Sequence, residues 1–154
     1  MKKKVLGLSF GRKMGNTDVM IKTALMACEK AGCDVKFIHV DDLDIKPCTG
    51  CISCVVGMTT GNGKGGCPIK DDFKILDEAL MACDAVIVGS PTYVLSPTGR
   101  FKTVCDRIGP SHDITFRKAT YEEGKAAGKP AEKLPDERSF KKRVGALVSV
   151  GGAM

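Results

Sequence analysis

Four short apolar segments alternate with three amphipathic ones along this chain, and that alternation limits its possible folds more than any single motif. Lys4 to Phe10 is apolar and β-branched enough for a buried strand, and Gly11 and Gly15 break it. From Asn16 to Gly32, Ile21, Ala24, Leu25, Cys28 and Ala31 recur at helical spacing. Asn16 or Thr17 stands as N-cap, Asp18 lies in the first turn and Gly32 is the stop. Val35 to Val40 forms a second strand that ends on Asp41-Asp42. Asp71 or Asp72 caps a second helix whose inward set is Phe73, Leu76, Leu80 and Cys83. Ala85 to Gly89 is a third strand, bounded by Ser90-Pro91. A third helix runs from Thr98 to about Ile108 with Phe101, Val104, Cys105 and Ile108 inward, and Val144 to Val150 is the fourth strand. Strands that alternate with helices in this way predict an α/β fold, an open parallel doubly wound sheet with helices on both faces. Such sheets take ligands at the carboxyl ends of their strands.

At 154 residues the chain is expected to be one domain, 1–154, with a Cys-rich loop at 46–70 and a charged excursion at 111–142 that holds a helix near Tyr121 to Ala127. A doubly wound domain normally has a fifth strand and a further helix, so the pattern looks truncated after its fourth strand. Hydrophobic residues at 43% and charged residues at 27% exclude bulk disorder. No apolar run approaches the roughly 18 residues of a membrane span, and Val5 to Ser9 is too short for the core of a signal peptide. The expectation is a cytoplasmic protein with no membrane partner, in which eight cysteines are metal ligands or core filler and not disulfides. The net charge of +6 is dispersed and aromatic residues are only 5%, which argues against a nucleic-acid partner.

The loops at the carboxyl ends of the strands carry the chemistry. After the first strand comes Ser9-Phe10-Gly11-Arg12-Lys13-Met14-Gly15-Asn16-Thr17, after the third Ser90-Pro91-Thr92-Tyr93, and after the fourth Gly151-Gly152. The first of these loops opens a helix, where unpaired N–H groups and the helix dipole favour an anion and glycines admit it closely. Ser9, Asn16 and Thr17 offer side-chain hydrogen bonds, and Arg12 a charge-assisted one. The spacing matches neither the dinucleotide fingerprint nor the ATPase phosphate loop. A plain helix cap after a tight turn accounts for the same residues without a ligand.

Cys48-x2-Cys51-x2-Cys54, followed after twelve residues by Cys67-Pro68, is the second constellation. Three thiolates at this spacing can converge on three corners of a four-iron four-sulfur cubane, with the fourth reaching back from a distance. Zinc prefers two separated pairs of cysteines, and a metal-free loop is the third alternative. Gly61 to Gly66 reads as a flexible segment. Cys28, Cys33, Cys83 and Cys105 fall on or beside helices and strands and are expected in the core. His39 and His112 have no triad partner at suitable spacing, and no nucleophile elbow occurs, so no catalytic acid, base or nucleophile is assigned.

The run Ser9 to Thr17, with its Arg-Lys-x-Gly-Asn-Thr ending, resembles the phosphate loop of the flavodoxin-like NADPH-dependent FMN reductases and iron–sulfur flavoproteins. Gly89-Ser90-Pro91-Thr92-Tyr93, followed by Lys102 and Asp106-Arg107, is similar to that family's flavin-ring loop and the helix after it. The compact cysteine motif before Asp71-Asp72 is similar to the one in iron–sulfur flavoproteins. The resemblance implies a flavodoxin-like fold and FMN, its phosphate on Ser9, Gly11, Arg12, Gly15, Asn16 and Thr17. It places the isoalloxazine edge at Ser90, Pro91, Thr92 and Tyr93, and the pyrimidine side near Gly151 and Gly152. It further implies an electron-transfer oxidoreductase with a 4Fe-4S cluster on Cys48, Cys51, Cys54 and Cys67. A ferredoxin-like donor or NAD(P)H would supply electrons to a homo-oligomer. The alternatives are an NAD(P)H-dependent FMN or quinone reductase without a cluster, and a zinc-binding scaffold.

Overall fold

The computed structural model describes residues 1–59, 67–112 and 143–151. In chain order the elements are β1 (Lys4–Ser9), α1 (Asn16–Lys30), β2 (Asp34–His39), α2 (Ser53–Thr59), α3 (Phe73–Ala82), β3 (Ala85–Tyr93), β4 (Ser96–Pro97), α4 (Gly99–His112) and β5 (Val144–Val150). The charged excursion beyond His112, the glycine-rich segment at 60–66 and Gly152 lie outside the described residues.

The sheet runs β2-β1-β3-β5 and all four of these strands are parallel, as the alternating pattern predicts. Chain order reverses between β1 and β3, where a doubly wound sheet opens its ligand crevice. Along β1 the side chains alternate between two cores, following the two-residue period of a strand. Leu6, Leu8 and Phe10 join Ile38, Val40, Leu76, Leu80 and Val104 beneath α3 and α4. Val5 joins Ile21, Leu25 and Ile87 beneath α1.

On the α1 side the sheet contributes glycine where other strands would contribute bulk. A Cβ added to Gly7 would stand 2.7 Å from both Ile21 Cγ2 and Leu25 Cδ1, and one on Gly89 would stand 2.5 Å from Ile21 Cδ1 and 2.8 Å from Thr17 Cγ2. The two glycines let α1 lie directly on β1 and β3, so its N-terminus reaches the crevice. Gly32, with φ of +88°, ends the helical segment after Ala31 as the sequence suggests.

Several boundaries differ from the sequence reading, each for a physical reason. The cap of α1 is Gly15, not Asn16 or Thr17, and no side chain caps it. The carboxylate of Asp18 turns back to accept Met14 N–H at 2.8 Å and orders the loop in place of a cap. Strand β3 runs on through Ser90 to Tyr93, because β4 pairs antiparallel with Thr92 and Tyr93. Their two-residue connection, Val94-Leu95, has positive φ at both positions and is fully exposed. Helix α4 continues to His112, whose Nε2 lies 2.6 Å from Asp77 Oδ1 and ties down the last turn. Cys105 is exposed and not in the core, because the inward stripe of α4 passes from Val104 to the buried Arg107. Cys83 is buried, and Cys28 and Cys33 are half-buried at the edge of the α1 core.

Replacing Gly7 by Ala is expected to cost about 1–3 kcal/mol, since Ile21 is β-branched and stiff in a helix and cannot rotate away. Urea unfolding measures this, and an unchanged midpoint would show that α1 stands off the sheet.

Candidate functional site

The first loop is built on a buried polar network that sequence reading did not anticipate. Ser9 is fully buried and its hydroxyl donates to Asp18 Oδ1, while Gly11 N–H approaches Ser9 Oγ at 3.4 Å. His39, at the end of β2, accepts Asp41 N–H on Nδ1 at 3.2 Å, which leaves its proton on Nε2. That buried nitrogen lies 3.5 Å from Asp18 Oδ1. Asp18 thus accepts a hydroxyl and a backbone N–H and holds the loop onto the carboxyl end of β1, while His39 Nε2 of β2 stands near its carboxylate without a hydrogen-bond partner among the described residues. The legible signal was an aspartate in the first helical turn with a histidine ending the neighbouring strand.

Above this network Gly15 N–H donates to Arg12 O at 2.9 Å, and the first helical bond of α1 runs from Val19 N–H to Gly15 O at 3.1 Å. The N–H groups of Asn16, Thr17 and Asp18 therefore precede the helical ladder at the positive end of a 15-residue dipole. Asn16 and Arg12 are exposed, whereas Lys13 pairs with Asp42. Thr17 is buried, wedged between Gly11 and Gly89. A Cβ on Gly11 would stand 2.8 Å from Thr17 Oγ1, so this glycine keeps the loop pressed to the helix start.

The other strand ends meet the same edge. Phe10 N–H donates to Gly89 O at 2.9 Å and joins the first loop to β3. Ser90 and Pro91 are buried, and Ser90 Oγ accepts Thr98 N–H at 3.2 Å just before α4, where Thr98 Oγ1 takes Phe101 N–H at 3.3 Å. Thr92 and Tyr93 are exposed. Thr92 Oγ1 lies 3.1 Å from Ser149 Oγ of β5, and a Cβ added to Gly151 would stand 3.8 Å from Thr92 Cβ.

The cysteine loop hangs from a clamp at its neck. Asp71 Oδ2 accepts Lys46 N–H at 2.9 Å, and Asp72 Oδ2 accepts Asp44 N–H at 2.9 Å. Arg107 lies across this neck with its side chain fully buried. It grips Asp71 with Nη1 at 2.7 Å and Nη2 at 3.0 Å, donates to Lys46 O at 2.7 Å and reaches Cys67 Sγ from Nε at 3.0 Å. The Phe73 ring stacks 4.4 Å below the guanidinium. The clamp brings the end of the twelve-residue gap back to Lys46, at the start of the loop.

Cys54 falls on the short helix α2, where burial raises its thiol pKa, as do the charges of Cys67 and Cys51 to a lesser degree. Cys51 is exposed and its thiol is held below the usual value, first by the Ser53 side chain and then by Ser53 N–H and Thr49. Gly50 N–H lies 3.4 Å from Cys48 Sγ. Among the described residues, no three ligating side chains close into a metal-binding group.

A profile described as NADPH-dependent FMN reductase matches residues 4–154. The chain belongs to that family. It is 37% identical over 99 residues to an iron–sulfur flavoprotein of Archaeoglobus fulgidus, covering 64% of this chain and 42% of that relative. It is 33% identical over 108 residues to an iron–sulfur flavoprotein of Methanocaldococcus jannaschii, covering 70% of this chain and 52% of the relative. A solved structure of a flavone reductase superposes with a TM-score of 0.71 at 29% identity, over 97% of this chain and 44% of that one. The chain spans about half the length of the curated relatives it matches. Among the described residues no helix is long and apolar enough to cross a membrane.

The clamp gives a pH signature. The Arg107 side chain, followed by Lys46 and Phe73 N–H, holds the Asp71 pKa down to about 2 from 3.8. The folded state therefore binds fewer protons than the unfolded state between these values. The stabilisation is fully present above about pH 4 and is lost as pH falls through about 2, at a cost of about 2 kcal/mol. Asp71→Asn leaves Arg107 buried without its counter-charge and should destabilise the fold by about 3–5 kcal/mol at neutral pH. It should also lack this part of the acid response. Urea unfolding from pH 7 to 2 checks both, and an equal acid slope in the variant would contradict the assignment.

Proposed function

We propose that this chain is the FMN-binding part of an electron-transfer oxidoreductase. The phosphate rests on the first loop, and a 4Fe-4S cluster is carried by Cys48, Cys51, Cys54 and Cys67. The observation that supports the flavin site is the meeting of three strand ends around the N-terminus of α1, at the crevice where chain order reverses. In this reading the N–H groups of Asn16 and Thr17, with Asn16 and Arg12 side chains, bind the phosphate, while Gly11 and Gly15 allow its approach. Ser9 acts from beneath, through Asp18. The exposed edge formed by Thr92 and Tyr93 on the buried Ser90 and Pro91 faces the ring, and Gly151 flanks it. FMN, when bound, supplies hydride and one-electron chemistry, and the chain supplies orientation and electrostatics. No side chain is assigned as acid or base.

The donor set suits a cluster: four soft thiols on one loop, with the distant one drawn back by Arg107. Relatives named iron–sulfur flavoproteins support the same reading. NAD(P)H or a ferredoxin-like protein would supply electrons, and a homo-oligomer would bring the cluster of one subunit to the flavin of another. The open arrangement of the sulfurs favours a second reading, a nicotinamide-dependent FMN or quinone reductase without a cluster.

Iron, sulfide and zinc per chain, measured after anaerobic reconstitution, separate these readings. The parent should hold about four irons, Cys51→Ala should lose most of them, and Cys28→Ala should keep them. Full iron in Cys51→Ala would sink the cluster, and stoichiometric zinc in the parent would favour a scaffold. Arg12→Ala with Asn16→Ala should weaken FMN by about tenfold or more, since a charge-assisted bond contributes about 1.5–3 kcal/mol. Fluorescence titration reads this, and unchanged affinity in the folded double variant would remove the phosphate assignment.

A further inference from the structure

We infer that Arg107 sets the reduction potential of the cluster on the cysteine loop, through the N–H that it donates to Cys67 Sγ. This rests on the cluster reading above. The guanidinium is fully buried in the neck of the loop and its plane is fixed from both sides. Asp71 takes both terminal nitrogens in a fork, Lys46 O takes a second bond from one of them, and the Phe73 ring lies beneath. With that fork satisfied, Nε–H is directed at the sulfur 3.0 Å away. The sulfur keeps lone pairs for a metal.

The bond is unlike the contact made to Cys48 in the same loop. Gly50 N–H lies 3.4 Å from Cys48 Sγ, a longer contact from a neutral donor, whereas Cys67 receives a short bond from a cation. Hydrogen bonds to cluster sulfurs, together with net charge and exposure, set the potentials of such groups. Adding one electron to a thiolate-bound cluster increases the negative charge on its sulfurs. A donor fixed against one of them therefore stabilises the reduced form more than the oxidised form. No proton moves, because arginine stays protonated throughout. Asp71 balances the guanidinium charge, so the lever is the directed N–H and not the net charge. Lysine at this position would keep the charge and lose the fork. Arg107 is thus a positioning residue for electron transfer, acting through Cys67.

Two measurements test this on the anaerobically reconstituted chain. The first is the midpoint potential of Arg107→Lys beside the parent. Loss of the bond should shift the one-electron equilibrium about tenfold toward the oxidised form, about 59 mV more negative. The second needs no variant: pulsed electron paramagnetic resonance on the reduced parent labelled with 15N-arginine. It should show an exchangeable proton and an arginine nitrogen coupled to the cluster. An unchanged potential in a folded, iron-loaded Arg107→Lys overturns the inference and leaves the cluster standing. Absence of arginine coupling in the parent does the same, and it decides the matter if the variant fails to load. A parent that takes up no iron overturns the cluster reading and this inference together.

Discussion

The close approach of α1 to the sheet at Gly7 and Gly89 is the constraint on which the candidate flavin site depends. Gly7 faces Ile21 and Leu25, and Gly89 faces Ile21 and Thr17, so the missing side chains are replaced by the helix itself. With α1 at this height Asp18 can reach Ser9 and Met14, and its carboxylate comes within 3.5 Å of His39. A helix raised by one methyl group would strain these bonds and lift the first loop from the crevice between β1 and β3. The same geometry exposes Asn16 and buries Thr17, dividing the labour between a solvent-facing amide and a packing residue.

On the opposite face the Arg107–Asp71 pair plays the corresponding part for the cysteine loop. A buried ion pair contributes little net stability once desolvation is counted, and breaking it is costly because one charge is left behind. Its value here is positional. It joins Lys46, Cys67 and Phe73 from three stretches of chain, and it fixes the neck of a loop whose thiols are otherwise on short, irregular backbone. Flavin loop and cysteine loop thus rest on separate buried polar networks, one under α1 and one under α4.

The elements of the fold were legible because their signals are local. The apolar, β-branched run of β1, the apolar stripe of α1 and the glycine stop at residue 32 depend on neighbours in sequence, and the parallel sheet emerged from their order. The strand-end loops were legible for the same reason. Contacts across the chain left fainter traces. Asp18 stood only as an acidic residue of the first helical turn until His39 was placed near it by β2, and Arg107 was left out of the inward set of its helix although it continues the stripe of Phe101 and Val104. Cys105 was misplaced because one residue of helical rotation separates it from that stripe. Helix α2 went unread because seven residues carry too little periodicity to distinguish helix from loop.

Backbone amide mapping with FMN tests the central claim most directly. The uniformly 15N-labelled chain is titrated with FMN, and the amide shifts are tracked residue by residue. The account predicts saturable changes concentrated at residues 11–18, at the N–H groups of Ser90, Thr92 and Tyr93, and at Gly151, with the outer face of α3 unmoved. Changes centred away from these three strand ends, or no saturable change at all, would contradict it.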